Sequence, residues 1–356
     1  TTPFTTNYFD TAYPIKGQAT GALQSGYRRT WIGNPDLKWE TTKQTDFGVD
    51  FGFFNQRLTG SFDYYYKKTN DILVQTPYIA AMGEGGEPWV NGASMNNQGV
   101  EFTVSFKSDP SSEFQWAVSA NIAGDGVHDL ILGRSPNSAY GLVADGIFKT
   151  QEEVDAHADQ PGKAVGRIRY KDLDGDGVIN ETYDRTWIGC YDPDFFGGLN
   201  FDFAYKGFDL NLFFEGMFGN DVNSDWKKES DIWLFTNPAW KNHATRMLGG
   251  WSPDNPNSDI PAISNNTANQ EQRFSSWFIE DGSYIKLRNI ELGYTFPTKL
   301  IKKMHMSNLR LYAAAYNVFT LKKFWGDDKY TSFDPERPSY HYLTPFTFNF
   351  GINVSF

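Results

Sequence analysis

Apolar and polar residues alternate strictly in several stretches of this sequence. In residues 346–356, FTFNFGINVSF, every second residue is Phe, Ile or Val, and Thr, Asn, Gly and Ser lie between them. The same alternation recurs at 45–53, 99–106, 198–205 and 208–216. Because successive side chains of a strand point to opposite faces, this pattern predicts β-strands with one apolar and one polar face.

About nine such strands are predicted, each near the ten or so residues of a strand that crosses a membrane at a tilt. They lie at 43–53, 57–69, 95–107, 114–123, 195–205, 208–218, 283–296, 308–319 and 345–356. A short helix is expected near 150–157.

The connections between these strands alternate in length. The first, third, fifth and seventh are short, whereas the second, fourth, sixth and eighth span about 25, 70, 65 and 25 residues. Tight turns at one end and long loops at the other are typical of a transmembrane antiparallel β-barrel. The pattern therefore favours an all-β barrel whose apolar strand residues, such as Phe47, Phe102, Phe201 and Phe348, face lipid. A soluble β-protein that packs these residues in a core is the alternative.

The amino-acid composition restricts the kinds of partner and of covalent cross-link that are expected for this chain. The chain has 30 Phe and 19 Tyr among 356 residues, and its mean hydropathy is nevertheless −0.52. The net charge of −11 argues against nucleic-acid binding, which needs a basic surface. Cys190 is the single cysteine, so no disulfide framework forms within the chain. The many aromatic residues and the low mean hydropathy suit strands with one apolar face and one hydrated face.

Several segments resemble the SusC/RagA-type TonB-dependent transporters of the outer membrane of Bacteroidetes-like bacteria. They are NPDLKWETTKQTDFGVDFGFFNQRLTGSFDYYYKKTNDIL (34–73), DLDGDGVIN with DRTWIGCYDPDFFGGLNFDFAYKGFDL (172–210), GGWSPDNPNSDIP (249–261), FIEDGSYIKLRNIELGYTFP (278–297) and LRLYAAAYNVFTLKKFWGDD (309–328). The resemblance implies a multi-pass outer-membrane barrel of about 22 strands around a plug, opened by energy from TonB. Residues 1–356 are expected to be the C-terminal part of that barrel, without the plug and the N-terminal strands.

The resemblance also implies function and partners. It implies import of large nutrients, glycans, oligosaccharides or peptides, together with a SusD-like surface lipoprotein that acts as a lid. The other expected partners are the N-terminal barrel and plug segment, TonB through that segment, and outer-membrane lipid. A passive porin or adhesin barrel is the alternative reading, and a soluble glycan-binding β-protein is a third.

The sharpest local motif is DLDGDGVINETYD at 172–184. Asp172, Asp174 and Asp176 occupy positions 1, 3 and 5 of an EF-hand-like loop, and a glycine makes the turn at position 6. Carboxylate and carbonyl oxygens are the ligands that Ca²⁺ or Mg²⁺ prefers. The predicted ligands are Asp172, Asp174, Asp176, the Val178 carbonyl, Asn180 and Asp184. Position 12 holds Tyr183 instead of an acid, so a solvated acidic turn is the alternative.

Tryptophans concentrate in the long connections. Exposed aromatic rings stack on sugars, so Trp89, Trp226, Trp233 and Trp240 are candidate substrate-binding residues. Aromatic residues at membrane interfaces or in small loop cores give the same signal. The five histidines are scattered without metal-ligand spacing, and no nucleophile elbow is present, so the sequence predicts no enzyme.

Overall fold

A computed structural model describes residues 7–13, 24–29, 34–76, 88–125, 133–232, 243–264, 270–322, 331–338 and 342–356. Its strands are β1 Asn7–Tyr13, β2 Gln24–Arg29, β3 Thr41–Phe53, β4 Leu58–Gln75, β5 Trp89–Lys107, β6 Phe114–Asp125, β7 Ser138–Leu142, β8 Ala144–Ile147, β9 Ile168–Tyr170, β10 Arg185–Cys190, β11 Phe195–Tyr205, β12 Phe208–Phe218, β13 Asp221–Asn223, β14 Ile279–Asp281, β15 Tyr284–Thr295, β16 Asn308–Lys322 and β17 Thr347–Ser355. The α-helices are α1 Gln151–Ala156, α2 Asp225–Asp231 and α3 Thr298–Ile301, and 3-10 turns lie at Thr245–Gly249, Ser276–Phe278 and Lys302–Met304.

Nine strands form one antiparallel sheet in the order β17-β16-β15-β12-β11-β6-β5-β4-β3. Each strand therefore pairs with its predecessor among the nine predicted strands, as in an up-and-down barrel. The helix expected near 150–157 is α1, whose first turn is capped by the Thr150 side chain. No helix within the described residues has both the length and the apolar character needed to cross a bilayer.

Strands β4 and β5 are longer than the sequence predicts. They run to Gln75 and from Trp89, so the connection predicted at 70–94 shrinks to 76–88. In the extension of β4, residues 70–75 read NDILVQ, so two polar residues precede three apolar ones and the alternation disappears. The backbone ladder continues without it, since the Thr76 amide still donates to the Pro88 carbonyl at 3.2 Å.

The described residues divide into two compact units. One lies within 1–47, 64–98 and 126–136, and the other comprises 48–63, 99–125 and 137–356. The short strands of the long connections pair locally in the second unit, as β10 with β7, β8 with β9 and β13 with β14. They were not predicted, because strands of three to six residues are too short to show alternation.

The two faces of the nine-stranded sheet differ as expected. On the apolar face Phe47 is 61%, Phe102 38% and Phe348 53% exposed, so none lies in a closed core. The opposite face, called the polar face below, carries residues such as Asn200, Asp209, Asn211 and Glu291. The main apolar core of the second unit lies instead in the long connections and consists of Leu142, Ile147, Ile168, Tyr170, Ile179, Ile232 and Phe278.

Candidate functional site

The acidic loop at 172–184 brings three carboxylates together. One oxygen from each of Asp172, Asp174 and Asp176 lies within 4.8 Å of the other two. Gly175 and Gly177 adopt φ angles of 76° and 84°, which allow the chain to fold around these oxygens. This set of hard oxygen donors fits a divalent cation such as Ca²⁺ or Mg²⁺.

Backbone amides preorganise the acidic loop. The amides of Gly177 and Gly175 donate to the Asp172 carboxylate at 2.9 and 2.7 Å and lower its pKa. Asp174 accepts the Asp176 amide at 3.1 Å, and this hydrogen bond by itself favours a lower pKa. Desolvation and the charges of the neighbouring carboxylates outweigh the hydrogen bond, so the net effect is a raised pKa for Asp174. A cation between these carboxylates would relieve their mutual repulsion.

The remaining predicted ligands have backbone partners in the same loop. Asp184 is fully buried and accepts the amides of Leu173 and Asn180 at 2.8 and 2.7 Å. The Asn180 Oδ1 atom accepts two amides, from Thr182 at 2.9 Å and Tyr183 at 3.0 Å. Both side chains therefore close the loop, and their roles as ligands, like that of the Val178 carbonyl, stay predictions.

The acidic loop is tied to the segment that follows α1. The Asp159 amide donates to the Gly177 carbonyl at 2.7 Å, and the Ile179 amide donates back to the Asp159 carbonyl at 2.9 Å. Ile179 is 2% exposed and belongs to the core of the long connections. These two hydrogen bonds and the buried Ile179 side chain therefore connect the acidic loop to that core.

The four candidate tryptophans have different environments. Trp89 begins β5 in the first compact unit and is partly buried. Trp226 lies in α2 in the second unit, and its ring meets Phe333 edge-on at 4.7 Å. Trp233 and Trp240 lie outside the described residues. Their contact with substrate stays a prediction for all four.

A charge cluster on the polar face was not predicted. Lys286 of β15 is 2% exposed and pairs with Asp334 at 2.7 Å and with Glu336. Arg288 pairs with Glu215 of β12 at 2.8 Å and with Glu336 as well. The cluster fastens residues 331–338, called the strap below, to the sheet. The available signal was two basic residues, Lys286 and Arg288, within a predicted strand, but their partners lie 48 to 73 residues away and cannot be identified from the sequence.

Further along the polar face, amide side chains form a ladder across β11, β12 and β15. Asn211 donates to Asn200 at 2.9 Å and to Asp202 at 2.8 Å, and Asn289 donates to Asn211 at 2.9 Å. The Oδ1 atom of Asn289 is buried and has no hydrogen-bond partner among the described residues. A wall with such donors and acceptors suits a water-filled passage.

Buried ionic contacts hold the long connections to one another. Arg167 and Glu271 come from different connections, pair at 2.8 Å and are each 6% exposed. Burial raises the pKa of Glu271, although the Arg167 guanidinium counteracts this effect. Lys227 likewise approaches Glu280 at 3.6 Å, and Glu280 accepts the Thr331 hydroxyl at 2.8 Å. Within the second unit, these contacts join described parts of the fourth, sixth and eighth connections.

Comparison with known proteins identifies the family. The family described as TonB dependent receptor-like, beta-barrel matches residues 2–318. The chain is 30% identical, over 98% of its length, to TonB-dependent receptor P3 of Formosa agariphila, and 27% identical, over 91% of its length, to TonB-dependent receptor SusC of Bacteroides thetaiotaomicron. It spans 37% and 32% of the length of these two relatives.

Solved structures agree on the fold. The RagAB peptide transporter superposes with a TM-score of 0.72 at 23% identity, covering 99% of this chain and 38% of that chain. The RagAB peptide importer in an "open-open" state gives a TM-score of 0.73. The nine-stranded sheet therefore matches part of a TonB-dependent barrel, as the alternation and the loop lengths predict. This chain belongs to the TonB-dependent receptor-like β-barrels of the outer membrane, a family of transporters and not of enzymes.

Proposed function

We propose that residues 1–356 are the C-terminal part of the barrel of a SusC/RagA-like importer, which takes up large nutrients through the outer membrane. The observation that carries this proposal is the nine-stranded sheet, with its polar face, its folded long connections and its match to TonB-dependent receptors. The remaining strands and the plug belong to a segment that precedes this one in the full protein. TonB acts through that segment.

The lid of this importer is a SusD-like surface lipoprotein. The likeness of this chain to the RagAB peptide transporter and its relationship to SusC support such a partner. The packed long connections provide a rigid platform on which such a lid can rest. Purification of the intact protein from native membranes and mass spectrometry of the bands tests this partner, and recovery of the barrel protein alone contradicts it.

The substrate is a glycan, an oligosaccharide or a peptide. Aromatic rings at the long-loop side and amide groups on the polar face are able to bind sugar hydroxyls or peptide groups. Trp89, Trp226, Trp233 and Trp240 are the proposed contacts. Substitution of each by Ala, followed by measurement of substrate affinity in the purified complex, tests them one by one.

The acidic loop holds a hard cation, Ca²⁺ or Mg²⁺, which stiffens the long connections and takes no part in catalysis. Its proposed ligands are Asp172, Asp174 and Asp176, with Val178, Asn180 and Asp184 completing the shell. The mutual approach of the first three carboxylates supports this role.

Growth of a strain that lacks the gene tests the function. The strain is grown on a panel of polysaccharides and peptides as sole carbon source, beside a complemented strain. Loss of growth on one class, restored by the gene, is the expected result. Uptake of that nutrient should stop when the proton-motive force that drives TonB is collapsed. Uptake that persists under this condition would identify a passive porin, and undiminished growth on every substrate would reject the importer.

A further inference from the structure

The turn between β15 and β16 is unusually basic for this chain. Residues 297–307, PTKLIKKMHMS, include Lys299, Lys302 and Lys303 and no Asp or Glu, whereas the whole chain has a net charge of −11. The turn is helical, as α3 continues directly into the 3-10 turn Lys302–Met304. No ion pair joins any of the three lysines to a carboxylate among the described residues. Lys206, in a neighbouring short turn, is by contrast 3.2 Å from Glu113.

The same turn exposes two large apolar side chains. Leu300 is 64% and Met304 61% exposed, whereas Ile301 is 2% exposed and anchors the turn to the protein. Leu300 and Met304, called the apolar strip below, therefore both present apolar surface on this short turn. The lysines at 299, 302 and 303 belong to the same turn and are exposed as well. A short helix with an apolar strip beside lysines is the pattern of a membrane-surface segment.

The turn follows directly in sequence after an aromatic cluster on the apolar face of the sheet. The rings of Phe208 and Tyr294 are 4.5 Å apart, and those of Tyr294 and Phe296 are 5.0 Å apart. Phe296 immediately precedes Pro297, the first residue of the turn. Aromatic girdles mark the membrane–water interface of outer-membrane barrels. An aromatic cluster beside a short turn is therefore what the headgroup level on the short-turn side would require.

We propose that residues 297–307 are an anchor for anionic phospholipid, in the membrane leaflet on the short-turn side. Leu300 and Met304 insert at the boundary between headgroups and acyl chains, and the three lysines contact the lipid phosphates. The proposal depends on the outer-membrane location of the family and not on the transported substrate. It therefore stands or falls independently of the proposed import function.

Lipid titration of the intact transporter in detergent tests the role of the lysines. Binding of phosphatidylglycerol is compared with binding of phosphatidylcholine by native mass spectrometry. Each lysine near an anionic surface strengthens binding several-fold, so the triple variant K299Q/K302Q/K303Q should bind phosphatidylglycerol at least about tenfold more weakly. Phosphatidylcholine binding should not change. The matched control is Lys206→Gln, which removes a paired lysine from another turn at the same end and should leave both affinities unchanged.

An unchanged preference for phosphatidylglycerol in the triple variant overturns the proposal. An equal loss in Lys206→Gln also overturns it, because the effect would then reflect total charge. Each variant replaces exposed side chains, and its assembly is checked by heat-modifiable migration on gels.

A fluorescent label tests insertion of the apolar strip. Bimane is attached to Leu300→Cys and, as the control, to Ser111→Cys in another short turn, each in a cysteine-free intact transporter in phosphatidylglycerol vesicles. Brominated acyl chains should quench the label at position 300 at least about twofold more than the label at 111, because quenching requires contact with the acyl region. Equal quenching refutes insertion. If the label at position 300 is shielded from water only after periplasmic protein is added, this surface binds a protein and the lipid proposal is wrong.

Discussion

Ion pairs in the long connections differ greatly in how much the loss of one partner should reduce the free energy of unfolding. Arg167 and Glu271 are withdrawn from water, so each depends on the other and on nearby backbone groups, such as the Ile168 amide at 3.0 Å from Glu271. Lys149 and Asp259 form a pair of the same length, 2.8 Å, but Asp259 is 89% exposed. A buried charge that loses its partner stays desolvated, whereas an exposed one is solvated again by water.

Replacement of Arg167 by Met is expected to destabilise the long connections by about 3–5 kcal/mol, since Glu271 remains buried without a countercharge. Hydrogen exchange in β9, next to Arg167, measures the loss. Lys149→Gln is the control and should change stability by about 1 kcal/mol or less. The double variant R167M/E271L should recover most of the loss. If the single and double variants behave alike, the ion pair is not the cause.

Asp174→Asn is expected to abolish binding of Ca²⁺ to the acidic loop, because it removes one of three carboxylates whose charges act together. Terbium luminescence and calorimetric titration measure binding, with Asp155→Asn in the exposed part of α1 as the control. The barrel should assemble normally in both variants. Saturable binding by the Asp174→Asn variant with unchanged affinity would show that the cation, if any, lies elsewhere.

His157 should make the long connections sensitive to acid. Burial lowers its pKa, and the charges of Arg169 and Lys163 lower it further. Below the ordinary histidine pKa the unfolded segment therefore binds a proton that the folded segment resists, and stability falls as the pH decreases from about 6.5. The protection factors of β9 amides, which correct for the intrinsic slowing of amide exchange in acid, should fall as the pH decreases from 7.5 to 5.5. His157→Gln should flatten this dependence and His305→Gln should not; equal profiles in all three proteins would exclude His157.

At the scale of elements, the strap at 331–338 links a loop to the barrel wall. The Ser332 hydroxyl contacts that of Ser224 at 2.7 Å, the Trp226 amide donates to the Pro338 carbonyl at 3.2 Å, and Lys286 pairs with Asp334. These contacts come from β15 and from the cap and first turn of α2. The strap therefore lies on the polar face as a fixed part of the wall.

Lys286→Met should release the strap, because Asp334 and Glu336 lose a buried countercharge. Chymotrypsin cleavage after Phe333, which lies in the strap, should then become faster on the order of tenfold, as the open fraction of the segment rises. Arg57→Met, in a short turn, is the control with no expected change in cleavage after Phe333. Cleavage at the rate of the unaltered protein would mean that the remaining contacts suffice to hold the strap.

At the scale of the whole molecule, the two faces of the sheet meet different solvents. In β17 Phe350 is 78% exposed on the apolar face, and Asn349 belongs to the opposite face. An apolar surface of this kind is stable only against hydrocarbon, and the polar wall only against water or polar groups. The alternation of apolar and polar residues thus determines both the membrane location of the sheet and the hydrated character of its polar face.

A lysine at the two neighbouring positions should therefore act differently. Phe350→Lys should cost about 2–4 kcal/mol of folding stability in lipid bilayers, whereas Asn349→Lys should cost much less. Folding into vesicles at increasing urea, read by heat-modifiable migration, measures the difference. A similar cost at both positions, or a larger one at Asn349, would show that the assigned faces are wrong.

The sequence alone determined the nine strands, their order, the sorting of short and long connections and the family. The alternation of apolar and polar residues depends only on the pleat of a strand and on the surroundings of its two faces. It is therefore visible in the local sequence. The three carboxylates of the acidic loop were also predictable, since Asp172, Asp174 and Asp176 are close in sequence and two glycines supply the turn.

Only the tertiary structure decided which distant groups meet. The extensions of β4 and β5 escaped prediction because apolar and polar residues do not alternate in them, although the hydrogen-bonded backbone ladder persists. The pairs Arg167–Glu271 and Lys286–Asp334 span 104 and 48 residues, and each depends on how long connections fold back on one another. Local patterns record the solvent that each face meets, whereas burial of a charge depends on the packing of the whole chain.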